Sequence, residues 1–71
     1  MKMQLTLEEI ASVAQVVYAA TLKHGGTPEL AWRITHSAAQ RLGASQDQAY
    51  TLTRAARRAA TEQGADAARA A

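Results

Sequence analysis

Apolar residues along this chain recur at helical spacing and never in strict alternation, and the runs between them end at glycines. Three helices follow from that pattern. The first opens at Thr6-Leu7-Glu8-Glu9, a capping box in which Thr6 accepts from a backbone N–H and Glu9 reaches back. Leu5 and Ile10 flank it at hydrophobic-staple spacing. Gly25-Gly26 should end it near residue 24, because glycine readily takes the left-handed conformation beyond a helix end. Thr27-Pro28-Glu29 starts the second helix with an N-cap, a proline at the first helical position and an acid in the first turn. Gly43 stops it, giving a helix over 28–42. Ser45-Gln46-Asp47-Gln48 is a second capping box and opens a third helix over 46–63, ending at Gly64. The alanine-rich stretch 65–71 is left open between a helical extension and a frayed end.

The expected fold class is therefore all-α, a single small three-helix domain. On a helical wheel, helix 1 places Leu7, Ile10, Ala14, Val17 and Tyr18 on one stripe. Val13, Val16 and Ala20 widen it on one side, Ala11 and Leu22 on the other, so the apolar arc exceeds half the circumference. Either helix 1 is the central core helix or its surplus is a homodimer interface, for which Ile10, Val13, Val16, Val17 and Ala20 are the candidates. Helix 2 is expected to bury Leu30, Ile34, Ala38 and Leu42, with Ala31 beside them, and to leave Trp32 and His36 at its edge. In helix 3, Ala49, Leu52, Ala56, Ala59 and Ala60 form a thin apolar face, opposite Tyr50, Arg54, Arg57, Arg58 and Thr61.

Composition sharpens this picture. A domain of 71 residues buries only roughly 60% of the surface its unfolded chain exposes. With no cysteine, disulfide and thiolate-metal support are excluded, and oligomerisation is the expected support. His24 and His36 lack the i, i+4 spacing of a helical metal pair, so neither a metal nor another cofactor is expected. The start carries no apolar run of signal-peptide type and no stretch approaches membrane-spanning length. A cytoplasmic protein without a membrane role is the expectation. Net charge is only +2, but acids lie early at Glu8 and Glu9 and arginines cluster late at 54, 57 and 58. Six acids, no cysteine and no glycine-rich phosphate loop argue against an enzyme.

The segment from Thr35 to Arg54 resembles the helix-turn-helix of phage and bacterial repressors. Ala39 stands where that motif wants a small residue, and Gly43 stands at its turn with Leu42 and Ala44 on either side. The buried positions of its second helix fall on Ala49 and Leu52. Ala49 replaces the usual Val or Ile, helix 2 is about twice the usual length, and Asp47 brings a negative charge towards phosphates. The resemblance implies a dimeric, DNA-binding transcription regulator with Ser45, Gln46, Tyr50, Thr51 and Arg54 towards duplex DNA and Arg57 and Arg58 on its backbone. The alternative is a small helical inhibitor or adaptor of another protein, of the kind phages and plasmids encode, docking through Trp32 and His36.

Overall fold

The computed structural model describes residues 4–70, with side chains over 4–62. Three helices account for most of it: α1 (Leu7–Lys23), α2 (Pro28–Arg41) and α3 (Gln46–Ala70). Each boundary has a local cause. At the start of α1 the Thr6 hydroxyl accepts from the Glu9 N–H at 3.2 Å, and the Glu9 carboxylate accepts from the Thr6 N–H at 2.9 Å. Leu5 packs on the cluster containing Ile10, which completes the staple. Thr27 caps α2 by accepting from the Leu30 N–H, and Ser45 with Gln48 repeats the reciprocal box at α3.

Both interhelical turns close in the same way. Gly26 N–H donates to the Thr21 carbonyl at 2.8 Å and Gly25 N–H to that of Leu22 at 3.1 Å. Ala44 N–H donates to Ala39 at 3.0 Å and Gly43 N–H to Gln40 at 3.1 Å. These are paired Schellman bonds, and they place Gly25 (φ +90°) and Gly43 (φ +116°) where an L side chain is disfavoured. Gly64, expected to end α3, does not: the backbone stays helical to Ala70. Glycine stops a helix only where the chain turns into the left-handed region. Inside an alanine-rich run its cost of about 1 kcal/mol is spread over good helix formers. Of the 65–71 stretch, Ala71 lies outside the described residues.

The core has two layers. Ile10, Ala39, Ala44 and Ala49 form one, edged by Leu5, Leu42 and Leu52. Ala14, Tyr18, Ala31 and Ala56 form the other, edged by Leu22, Trp32 and Ala60. The first layer joins the starts of α1 and α3 to the end of α2, and the second does the converse. The helices therefore run up, down and up.

The layers correct the face assigned to α2. Its buried positions are Ala31, Thr35 and Ala39, while Leu30 and Ile34 are 43% and 41% exposed and Ala38 and Leu42 are half-buried. Small residues at i, i+4, i+8 face the crowded interior, and the larger Leu30 and Ile34 are turned aside. On α3 the same logic buries Thr53 between Ala49 and Ala56, while Leu52, Ala59 and Ala60 are half-buried. On α1, Ile10, Ala14 and Tyr18 are buried as expected, but Leu7 is 48% exposed at the rim.

Candidate nucleic-acid interface

The three helices pack pairwise, and the seams that α2 makes with α3 and with α1 are differently lined. Along the α2–α3 seam, Trp32 meets Tyr50 edge-on, with ring centroids 5.5 Å apart and planes at 69°. The Arg57 guanidinium lies over the Trp32 ring, 4.9 Å from its centroid. Edge-to-face aromatic packing and a cation over an indole face are both attractive, each by about 0.5–1 kcal/mol at partly exposed sites. Arg33, His36, Ser37 and Gln40 line a shallow hollow with Trp32 and Tyr50.

Outward from this seam, α3 carries a second hollow lined by Thr51, Arg54, Arg57, Arg58 and Thr61, with Ala55 at its floor and Glu62 at its end. Spacings of three and four residues stack these side chains on one side of the helix, opposite buried Ala49, Thr53 and Ala56. All three arginines are exposed. Arg58 sits 3.5 Å from Glu62 in an exposed i, i+4 pair, a contact of small energetic weight. Among the described residues, no carboxylate pairs with Arg54 or Arg57. Between Asp47 and Glu62 the helix has no acidic residue, and its positive charge is gathered at Arg54, Arg57 and Arg58, over little more than one turn.

The positions named from the helix-turn-helix resemblance fall as follows. Ala39, Ala44 and Ala49 are buried in one cluster with Leu42 and Leu52 at its edge, and Gly43 has positive φ between them. Ser45, Gln46, Asp47, Tyr50, Thr51 and Arg54 are exposed. Ser45 and Gln48 are committed to the α3 cap, so the Ser45 hydroxyl already accepts a backbone bond. Thr51 donates to the Asp47 carbonyl. Side-chain reach along the helix thus falls mainly to Gln46, Tyr50 and the arginines.

Of the proposed protein-docking pair, Trp32 and His36 are half-buried. Trp32 is engaged by Tyr50 and Arg57, contacts that a partner would have to displace. The engagement of Trp32 by residues of α3 was missed in the sequence, because it depends on which faces of two helices meet. Of the expected dimer residues, Ile10 lies in the core at 2% exposure and offers no surface. Val13 and Val16 are exposed, and Val17 and Ala20 are half-buried.

Among the described residues no group of three or more His, Asp or Glu side chains could hold a metal ion, and no helix is long and apolar enough to cross a membrane. Comparison with known proteins finds no matching family model, no matching curated protein and no matching solved structure.

Proposed function

We propose that the protein binds duplex DNA through the outward face of α3 and acts in this way as a small regulator of transcription. The observation that carries the reading is the arginine cluster of α3. Arg54, Arg57 and Arg58 line one exposed face with Thr51 and Thr61, and only Glu62, at its far end, brings an acid. Guanidinium groups bind phosphate oxygens in bidentate fashion, and hydroxyls add neutral donors. A helix presenting such a face fits the width of the major groove. In this reading Arg58, and Arg57 once it leaves the Trp32 ring, would hold phosphates and set the helix's position. Arg54, Gln46 and the exposed edge of Tyr50, nearer the helix start, would reach base edges.

The experiment is fluorescence anisotropy with random-sequence duplex DNA at about 50 and about 200 mM salt, comparing the natural chain with an Arg54/Arg57/Arg58→Ala variant of verified helicity. Each phosphate contact adds about 0.9 to the slope of log affinity against log salt. With Arg57 and Arg58 as the phosphate contacts, the variant is therefore expected to lose at least tenfold in affinity at the lower salt and to flatten the slope by about two. No binding of the natural chain at low salt, or equal binding by the variant, overturns the proposal.

A further inference from the structure

The seam between α1 and α2 is lined differently from that between α2 and α3. Ala20 of α1 and Leu30 of α2 border one hollow, with Thr21 and His24 beside them. From Leu30 the same side of α2 continues one turn on to Ile34. On α1, Val13 and Val16 are 38% and 68% exposed. Neither belongs to the core clusters of the described residues.

A pattern on α1 indicates what covers them. Glu9, Val13, Val16, Ala20 and Lys23 follow one another at steps of four, three, four and three, the spacing of a helix seam that packs on another helix. Ile10, Ala14 and Tyr18, the buried residues of α1, lie on the other side of the helix. The seam is apolar over its middle three positions and ends in an acid at one end and a base at the other, both exposed. Its midpoint is Val16. Rotating a second α1 by two-fold symmetry about Val16 sets Val16 on Val16, Val13 against Ala20, and Glu9 against Lys23, the last two pairs occurring twice. A parallel pairing would instead set Glu9 on Glu9 and Lys23 on Lys23.

We infer that α1 is an antiparallel, self-complementary docking surface for a second copy of this chain, closed at each end by a Glu9–Lys23 pair between the copies. Isologous contacts require that residue i meet j while j meets i, and the order of charges along α1 satisfies this in one orientation only. The apolar centre supplies attraction, Leu30 and Ile34 widen it along α2, and the end charges choose orientation and register. The surface is separate from the arginine face of α3, so the inference stands or falls independently of DNA binding.

Sedimentation equilibrium of the full chain, with circular dichroism to verify folding, tests it. The natural chain should be dimeric. Val16→Glu puts two like charges at the symmetry axis and should leave a folded monomer. Lys23→Glu sets acid against acid at both ends and should weaken the dimer about tenfold. Glu9→Lys should do the same but also removes the acceptor of the Thr6 N–H, so its loss is read against the helicity of that variant. The double variant Glu9→Lys/Lys23→Glu restores opposite charges and should recover most of the loss. Parallel pairing gives a different pattern, since each single reversal merely exchanges one like pair for another. A natural chain that stays monomeric at high concentration overturns the inference. So does a dimer indifferent to Val16→Glu, or single reversals without effect or without recovery in the double variant.

Discussion

Thr35 and Thr53 occupy the buried positions halfway along the packed faces of α2 and α3, both fully inaccessible, yet their hydroxyls differ. Thr53 Oγ1 donates to the Ala49 carbonyl at 2.7 Å, whereas Thr35 Oγ1 has no partner. A buried hydroxyl without a partner costs about 1–3 kcal/mol of desolvation, and valine has nearly the same shape without it. Thr35→Val is therefore expected to stabilise the fold by about 1 kcal/mol, and Thr53→Val to destabilise it by up to about 1 kcal/mol. Urea denaturation of both variants at one protein concentration checks the sign and the contrast. Trp32 offers another residue-level test, because it is the single tryptophan of the chain and its emission reports the α2–α3 seam. Arg57→Ala uncovers the indole and should shift that emission to longer wavelength, at a cost of about 0.5–1 kcal/mol. Unchanged emission would mean that the guanidinium does not rest there in solution.

At the scale of elements, boundaries were legible in the sequence and faces only in part. Capping boxes, Pro28 at the first position of α2 and the two glycine turns work within four or five residues, so the sequence contains their whole cause. Burial on α2 depends instead on how closely two other helices approach. That approach selects Ala31, Thr35 and Ala39 over the bulkier Leu30 and Ile34, a choice made by partners distant in sequence. The same reasoning applies to Gly64: whether a glycine ends a helix depends on whether the chain turns there, and α3 continues through it. Gly43 does mark a turn. Its φ of +116° leaves open space around an added Cβ, so the cost of Gly43→Ala is conformational rather than steric, about 1–2 kcal/mol. Gly26→Ala fails for the opposite reason, since its Cβ would stand 2.6 Å from Thr21 Cγ2 and 2.9 Å from the Thr21 carbonyl oxygen. Thermal melts should show both variants destabilised, with Thr21→Ser, which removes that methyl, partly relieving Gly26→Ala alone. At the head of α3, Asp47 favours the helix dipole but opposes an approaching phosphate. Asp47→Asn should cost a few tenths of a kcal/mol in stability and raise DNA affinity severalfold if the helix start approaches the groove. Unchanged affinity would place the contact further along, at the arginines.

For the whole molecule, charge and apolar surface are exposed in different places, arginines on the outer face of α3 and aliphatic side chains on α1 and α2. The arginine face could be read from spacing alone, because exposed charges need no partner to be recognised. The apolar surplus of α1 was also visible, but its allotment between core and surface was not, since Ile10 turns inward while Val13 and Val16 turn out. A chain of this size keeps a large share of its surface in water, and a core built mainly of alanines buries little apolar area per residue. Covering Val13, Val16, Leu30 and Ile34 with a second copy would add stability that an isolated chain lacks. The consequence is a melting temperature that depends on protein concentration. A tenfold rise in concentration is worth about 1.4 kcal/mol per dimer, or roughly 0.7 kcal/mol per chain. For a domain of this length that corresponds to roughly 3–6 °C. Calorimetry over two decades of concentration should show the rise for the natural chain. With Val16→Glu the melting temperature should be lower and constant, because unfolding then starts from the monomer. A natural chain whose melting temperature is flat across that range would show that each copy supports its own fold without the α1 seam.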